Sequence, residues 1–323
     1  MKNEPLLYIV VPCYNEEEML PISAERLLGK LTALQADHKI SGDSRILFVD
    51  DGSKDKTWSI IADLHRANPS YQGIKLSRNF GQQGAIVAGL STAVERADVI
   101  ISIDVDLQDD INAMNQMLDE YQKGTEIVFG VRSSRKKDTF LKRFTAQSFY
   151  KLMNKMGAKT IYNHSEFRLM TQAAVRTLLQ YQETNLFLRG IVAQLGFPTA
   201  IVTYEREKRT AGKTKYSVRK MLGLALDGIT SFSDRLLRMA WSTGFLFLFL
   251  GLIGFATTLT LMYTMGISML WPILTAMVAL TGVVLLALGV IGLYLGKMYL
   301  ETKHRPRFIV EKDLTVNDAN TAK

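Results

Sequence analysis

Ionisable side chains are absent from one long stretch near the C-terminus. Between Met239 and Gly296 the sequence contains no Asp, Glu, Lys, Arg or His. Two apolar segments within it, 239–263 and 273–296, would each reach roughly 36 Å as helices, enough to cross a bilayer core of about 30 Å. A helix pair buried in a soluble core would keep a polar face, which this stretch lacks. The absence predicts two transmembrane helices. It also argues against a transporter, because neither span carries an ionisable residue that could mark a polar pathway.

Cysteine is nearly absent as well. The single cysteine, Cys13, cannot form an intrachain disulfide, which agrees with a reducing compartment. The apolar run Leu6–Val11 is too short for a signal peptide and leads into Glu16, Glu17 and Glu18, so no signal peptide is expected.

Positive charge is concentrated around the two spans. The connecting segment 264–272 is uncharged, whereas basic residues flank both spans on their outer sides: Arg219, Lys220, Arg235, Arg238, Lys297, Lys303, Arg305 and Arg307. The positive-inside rule therefore places the main domain and both termini in the cytoplasm, with the chain anchored as a multi-pass protein of the inner (plasma) membrane. The net charge of +8 favours anionic partners such as lipid headgroups and phosphorylated substrates. No nucleic-acid motif is present, so nucleic acid is not an expected partner.

The first 131 residues alternate between strand-like and helix-like segments. Apolar runs of strand length occur at Leu6–Val11, Arg45–Val49, Gly73–Leu76, Val99–Ile103 and Ile127–Val131. Helical spacing occurs between them at Pro21–Gln35, Thr57–Ala67, Gly84–Arg96 and Ile111–Gln122. This alternation predicts an α/β fold with a mostly parallel, Rossmann-like sheet.

The remaining segments divide the chain further. Residues 1–216 are expected to form the cytoplasmic domain, and 140–156 within it is either an interfacial helix or an ordinary surface helix. Residues 217–238 are expected to form an amphipathic helix in the membrane interface, leading into the first span. The basic tail, 297–323, is cytoplasmic, and its polar part beyond Arg307 is expected to be loosely ordered. Small residues between Gly289 and Gly296 suit helix association and a homo-oligomer.

Two carboxylates follow the apolar run 97–103. Asp104 and Asp106, spaced i and i+2, would lie at the carboxyl edge of the sheet, where open α/β sheets bind their ligands. Paired hard oxygen ligands suit Mg²⁺ or Mn²⁺, which can hold a substrate diphosphate. The alternative is a solvated acidic turn between a strand and a helix.

Three other segments come directly after predicted strands. They are Val11–Glu16, Val49–Thr57 and Ser77–Gly84. Asp50 and Asp51 can accept hydrogen bonds from a base or a ribose, Gly52 permits a tight turn, and Arg78 can reach a phosphate or a base. Taken alone, each segment is equally compatible with an ordinary turn between a strand and a helix.

In this order and spacing the four segments resemble the family-two inverting glycosyltransferases with a GT-A fold. The branch that they resemble is that of the polyprenyl-phosphate glycosyltransferases, the relatives of dolichol-phosphate mannose synthase. Two later segments, 163–170 and 206–216, and the C-terminal apolar hairpin also match, so that the resemblance covers about residues 6 to 300.

The resemblance implies roles for individual residues. Those implied to contact the nucleotide sugar are Pro12, Tyr14, Glu16, Asp51, Arg78, Asp104 and Gln108, with Asp51 pairing with the base. Asp104 and Asp106 would hold Mg²⁺ or Mn²⁺ together with the diphosphate. The residues implied to take part in catalysis are Asp106, Glu166, Arg206, Arg209 and Lys215, the last three in a loop that closes over the phosphates. Relatives often carry Asp where this chain has Glu166, and commonly Pro where it has Asp110. His164 is expected to be structural, since no second ligand lies near it in the sequence.

The implied reaction is displacement at the anomeric carbon of the sugar by polyprenyl (undecaprenyl) phosphate. It would give a lipid-linked sugar donor for the cell envelope. The first expectation for the donor is UDP-glucose, followed by UDP-N-acetylglucosamine or another nucleotide sugar. A processive polysaccharide synthase would need more spans and a Gln-x-x-Arg-Trp segment, which is absent here. A membrane protein that binds nucleotide sugars without catalysis is the non-enzyme alternative.

Overall fold

The computed structural model describes residues 4–133, 164–183, 188–205, 235–265 and 270–315. These residues belong to two compact units. The first contains an eight-stranded sheet with its helices, and the second contains two long helices.

The sheet unit alternates strands and helices through its first half, as the sequence predicts. Its strands are β1 Leu7–Cys13, β2 Arg45–Asp50, β3 Tyr71–Leu76, β4 Val99–Ser102, β5 Ile127–Arg132, β6 His164–Thr171, β7 Thr199–Tyr204 and β8 Val310–Asp313. Its helices are α1 Leu20–Ala36, α2 Thr57–Ala67, α3 Gln82–Ala93, α4 Ala113–Gln122, α5 Gln172–Gln180 and α6 Leu188–Ile191, with a short 3₁₀ helix at Val192–Gln194.

The strand order is β7-β5-β6-β4-β1-β2-β3-β8. β1 pairs in parallel with β2 and β4, β2 with β3, and β5 with β7. β6 is antiparallel to both of its neighbours, β4 and β5, and β8 is antiparallel to β3. The α/β class and the mostly parallel sheet are therefore confirmed, with two antiparallel strands that the sequence pattern did not predict.

The core lies on both sides of the central strands. Every residue of β1 is buried, which is why that strand is an unbroken apolar run. α3 packs closely on β1 because Gly89 carries no side chain, and a Cβ there would lie 2.4 Å from Cγ1 of Val10. This contact fixes α3, whose first turn reaches the carboxyl edge of the sheet.

The expectation of a loosely ordered tail beyond Arg307 is wrong for residues 310–315. β8 pairs with β3, the N–H of Leu314 donates to the carbonyl of Gly73 at 2.8 Å, and Lys75 forms an ion pair with Glu311 at 3.0 Å. All four side chains of β8 are exposed, so a polar sequence is what this edge strand needs. The segment is polar because its side chains face solvent at the sheet edge, and it is ordered because its backbone hydrogen-bonds to β3.

The second unit contains α7, Arg235–Met265, and α8, Leu270–Thr302. Within them Ser242–Thr264 and Ala279–Thr302 are long and apolar enough to cross a membrane, and neither is buried. α7 already begins inside the segment predicted to lie in the interface. Residues 217–234 of that segment, and the whole of 140–156, lie outside the described residues.

Candidate active site

The carboxyl ends of four parallel strands bring the sequence motifs to one edge of the sheet. β4, β1, β2 and β3 are consecutive neighbours, and Cys13 at the end of β1 is in register with Asp50 at the end of β2. The loops that follow these strands therefore lie side by side. We refer to those after β1, β2, β3 and β4 as the first, second, third and fourth loops.

Hydrogen bonds join the first loop to the second. The N–H of Asn15 donates to Oγ of Ser53 at 2.9 Å, and the N–H of Lys54 donates to Oδ1 of Asn15 at 2.8 Å. Asn15 has a φ of 51°, a left-handed conformation that asparagine tolerates well. The N–H of Glu16 donates to Oγ1 of Thr57 at 2.9 Å. These contacts fix the backbone around Tyr14 and Glu16, which are half-buried at the edge and follow the buried Pro12.

Asp51 joins the second loop to the third. Its side chain is 2% exposed, and its two oxygens accept the N–H groups of Phe80, at 2.7 Å, and Gly81, at 2.9 Å. Burial raises the pKa of Asp51 to about 6, although these two hydrogen bonds act in the opposite direction. The predicted pairing of Asp51 with a base stays a prediction. A base N–H would have to share one of the two carboxylate oxygens that already accept hydrogen bonds from the third loop.

Gly52 and Arg78 lie at the same junction. Gly52 has a φ of 66°, and a Cβ there would lie 2.5 Å from the carbonyl carbon of Arg78. Only glycine permits this approach of the second loop to the third. The guanidinium of Arg78 lies 3.9 Å from the centre of the Phe80 ring, so this exposed cation is held at the rim of the site.

The fourth loop carries the carboxylate pair. Leu107 is buried in a left-handed conformation with a φ of 43°, and its N–H donates to the carbonyl of Asp104 at 3.2 Å. Ser23 of α1 donates its hydroxyl to the carbonyl of Val105. The turn that presents Asp104 and Asp106 is thus held from inside the core. Gln108 is 9% exposed, and its N–H donates to Oδ1 of Asp106 at 3.4 Å.

The charges around Asp104 suit a cation. Burial raises the pKa of Asp104 to about 6, and the carboxylates of Asp109 and Asp106 add to this effect. A divalent cation would relieve the repulsion among these carboxylates. Among the described residues, no group of three or more His, Cys, Asp or Glu side chains is arranged as a metal site. Mg²⁺ typically binds through one or two carboxylates together with substrate phosphates, and the pair Asp104 and Asp106 fits that pattern.

Glu166 lies in β6 within a buried cluster of charges. It is 1% exposed, pairs with the equally buried Arg168, and accepts Nε of Arg189 in α6 at 2.9 Å. Burial, together with the charge of Arg189, lowers the pKa of Arg168 to about 9. Nη1 of Arg168 lies 3.5 Å from the carbonyl of Leu188. Glu166 is therefore engaged with two arginines, which supports a role in orienting basic neighbours.

A second buried ion pair lies at the end of β5. Nε and Nη2 of Arg132 donate to Oδ1 of Asp109 at 3.2 and 3.1 Å, and Asp109 is 2% exposed. Nearby, the hydroxyls of Ser165 and Tyr204 are 2.7 Å apart, and burial raises the pKa of Tyr204. The positive charges of Arg189 and Arg132 lower the pKa of Asp104, which places cationic groups from α6 and β5 within electrostatic reach of the carboxylate pair.

The structure therefore assembles most of the predicted site. Asp51, Arg78 and Asp104 lie in one set of contacting loops, and Glu166 in β6 is joined to them through Gln83. Arg206, Arg209 and Lys215 lie outside the described residues. His164 is 3% exposed and packs edge-on against Phe129 at 5.6 Å between ring centroids, as a structural histidine does.

Sequence reasoning did not single out several residues at this edge. They are Gln82, Gln83, Arg132, Arg168 and Arg189. Gln82 and Gln83 belong to the third motif, and Arg168 directly follows Phe167 in a matching segment. For these three the available signal was their position within the motifs, whereas Arg132 and Arg189 lie outside every motif and carried no such signal.

The α/β sheet, its strand-end loops and the carboxylate pair define a class of protein whose ligand site lies at the carboxyl edge of a parallel sheet. The family model "Glycosyl transferase family 2" matches residues 8–179. The chain belongs to this family, and the family match together with the sheet confirms the predicted GT-A architecture.

Three relatives match over nearly their whole length. The uncharacterised glycosyltransferase YkoT of Bacillus subtilis is 46% identical over 97% of this chain and 93% of the relative. The prophage bactoprenol glucosyl transferase homolog of Escherichia coli is 38% identical, covering 94% of this chain and 98% of the relative. The bactoprenol glucosyl transferase of Shigella phage SfV is 38% identical with the same coverage, 94% and 98%.

Two solved structures are similar at a lower level. A mannosyltransferase from Pyrobaculum calidifontis in complex with GDP-mannose and Mn²⁺ is 15% identical, with a TM-score of 0.44 and coverage of 89% of this chain and 88% of the other. Glucosyl-3-phosphoglycerate synthase from Mycobacterium tuberculosis, with Mn²⁺, UDP-glucose and phosphoglyceric acid, is 15% identical, with a TM-score of 0.43 and coverage of 70% and 78%.

Proposed function

We propose that this chain is a membrane-anchored glycosyltransferase that moves a sugar from a nucleotide sugar to polyprenyl phosphate, with inversion at the anomeric carbon. The proposed donor is UDP-glucose, because relatives named bactoprenol glucosyl transferase are 38% identical over nearly the full length. The observation that carries the proposal is the Asp104–Asp106 turn, which lies at the same sheet edge as the loops held by Asp51. The product would serve as a lipid-linked sugar donor for cell-envelope glycosylation.

The departing nucleoside diphosphate places the largest electrostatic demand on the site. Asp104 and Asp106 would hold Mg²⁺ or Mn²⁺, which when bound supplies positive charge to that diphosphate. Arg132 and Arg189 influence Asp104 electrostatically, and both would add positive charge beside the same group. Arg206, Arg209 and Lys215, which come after β7 in the sequence, are proposed to complete this set.

The nucleophile would need positioning more than deprotonation. A phosphate monoester has a second pKa near 6, so a lipid phosphate is already anionic at neutral pH. The contacts of Glu166 support this mechanism, because its carboxylate holds Arg168 and Arg189. We therefore assign Glu166 to the orientation of these arginines, of which Arg189, the partly exposed one, would in turn hold a phosphate.

The two apolar helices are proposed to anchor the enzyme as a multi-pass protein of the inner membrane. α7 and α8 contain the segments that could span it. The basic residues on their outer flanks support a cytoplasmic location for the catalytic domain and both termini. Small residues between Gly289 and Gly296 in α8 are proposed to support a homo-oligomer.

The test uses membranes that contain the full chain, undecaprenyl phosphate and a panel of radiolabelled nucleotide sugars, with and without EDTA. We expect a labelled lipid only where cation is present, with UDP-glucose as donor. Asp106→Asn should abolish it, whereas the matched variant Asp63→Asn, in an exposed ion pair with Arg66 on α2, should not. A label from UDP-N-acetylglucosamine would replace the donor assignment. Nucleotide binding without any labelled lipid across the panel would support a non-catalytic binding protein instead.

A further inference from the structure

Two consecutive glutamines in the first turn of α3 each contact one carboxylate of the site, Asp104 or Glu166. Nε2 of Gln82 donates to Oδ1 of Asp104 at 2.7 Å. Nε2 of Gln83 donates to Oε1 of Glu166 at 3.0 Å, and its Oε1 accepts the N–H of Leu188 at 3.2 Å. Neighbouring residues on a helix point about 100° apart, so one turn can reach two adjacent elements. Gln82 thus contacts the fourth loop, while Gln83 joins β6 to α6.

The start of α3 is itself fixed by the second loop. Gly81, which precedes the helix, has a φ of 85°, and its N–H is bonded to the buried carboxylate of Asp51. On the other side, the absence of a side chain at Gly89 lets α3 lie against Val10 of β1. A continuous set of contacts therefore runs from Asp51 through Gly81 and Gln82 to Asp104.

The amide group suits these two contacts. A primary amide donates a hydrogen bond without carrying charge, so it can orient Asp104 and leave the negative charge that a cation needs. Its bond uses only Oδ1 of the Asp104 carboxylate. Glu166 already faces the positive charges of Arg168 and Arg189, so a neutral donor fixes its carboxylate without adding a further charge.

We propose that Gln82 and Gln83 are positioning residues of the transfer reaction. Gln82 orients Asp104 for the divalent cation. Gln83 locks Glu166 and the start of α6 together, and with them Arg189. This inference rests on the proposed function for the identity of the reaction, whereas the contacts themselves do not depend on it.

The experiment compares Gln82→Met and Gln83→Met, which keep the length of the side chain but remove its amide, with Gln35→Met. Gln35, near the end of α1, is a matched control. Its amide also donates a hydrogen bond, to the carbonyl of Gly42 at 3.0 Å, but it contacts none of the site residues. Mn²⁺ affinity is measured on the purified full chain by electron paramagnetic resonance of free Mn²⁺. Transfer kinetics are measured separately at saturating and at limiting cation.

We expect Gln82→Met to weaken Mn²⁺ binding by about tenfold or more, as loss of a hydrogen bond to a charged group does, and to recover most of its kcat at saturating cation. Gln83→Met should lower kcat about tenfold, with Mn²⁺ affinity unchanged, and Gln35→Met should match the wild type in both measurements.

Wild-type Mn²⁺ affinity in Gln82→Met, or wild-type kcat in Gln83→Met, would overturn the corresponding assignment. If the wild-type chain forms no lipid-linked sugar at all, the proposed function fails, and the Mn²⁺ titration still decides the role of Gln82.

Discussion

Arg168 and Glu166 are each 1% exposed and form an ion pair within the sheet. Glu166→Gln preserves the volume of the side chain but leaves the charge of Arg168 without its buried partner. Removing one partner of a buried pair typically costs about 3–5 kcal/mol, because an uncompensated charge stays buried. For a domain of this size, we expect the unfolding midpoint to fall by about 6–20 °C.

Thermal unfolding of the purified full chain in detergent, followed by near-ultraviolet circular dichroism, measures this cost. The matched control is Glu95→Gln, whose partner Arg176 lies 3.0 Å away in an exposed pair, so that variant should change little. The double variant Glu166→Gln/Arg168→Met removes the stranded charge and should regain most of the lost stability. If Glu166→Gln unfolds at the temperature of Glu95→Gln, or if the double variant is less stable than the single one, the buried-charge argument is refuted.

Three further predictions follow from the loops and the tail. Burial raises the pKa of Asp51 to about 6, above its ordinary value of 3.8, so the folded state favours the protonated carboxyl. As the pH rises from about 4 to about 7, ionisation of Asp51 therefore lowers the free energy of unfolding by up to about 3 kcal/mol. Asp51→Ala should flatten the pH dependence of unfolding over that interval, and an unchanged slope would contradict the assignment. Gly52→Ala should raise the KM for the nucleotide sugar at least tenfold with a smaller change in kcat, because its Cβ would displace the Arg78 backbone; a wild-type KM would show that this approach is not needed. A chain ending at residue 305 should unfold at a lower temperature and bind the donor more weakly than one ending at 315, because Ser77 loses the carbonyl of Ile309 as its acceptor; equal behaviour of the two would count against an ordering role for the tail.

The position of the carboxylate pair could be predicted from the sequence because it depends on local information. An apolar run that stops just before Asp104 must deliver that residue to the sheet edge, and β4, which ends at Ser102, does so. The same reasoning located β1, β2, β3 and β5. The left-handed turn at Leu107, which depends on contacts with α1 and the core, has no comparable local pattern.

β6 could not be predicted from hydrophobic pattern because its buried face contains charged residues. Glu166 and Arg168 are spaced i and i+2 and neutralise one another, together with Arg189 from a distant helix. The sequence shows that these residues are charged, but only the fold shows that each has an oppositely charged partner, which offsets the free-energy cost of burying the charge. For the same reason, the resemblance indicated that Glu166 was important without indicating that two arginines hold it.

β8 was missed for the opposite reason. Its sequence, Val310–Asp313, is polar and all of its side chains are exposed, so only backbone pairing with β3 distinguishes it from an irregular tail. The start of α3 was misplaced at Gly84 because Gln82 and Gln83 carry no apolar signal, although their contacts with Asp104 and Glu166 make them part of the site.

The measurement that tests the central claim most directly is mass spectrometry of the lipid product formed by the full chain. The claim is that the Asp104–Asp106 edge transfers a sugar from a nucleotide sugar to a lipid phosphate. With undecaprenyl phosphate, UDP-glucose and Mg²⁺, we expect a new lipid heavier by one hexose residue, formed by the wild type and absent with Asp106→Asn. A hexose-bearing lipid formed equally by Asp106→Asn, or free glucose as the sole product of the wild type, would contradict this account.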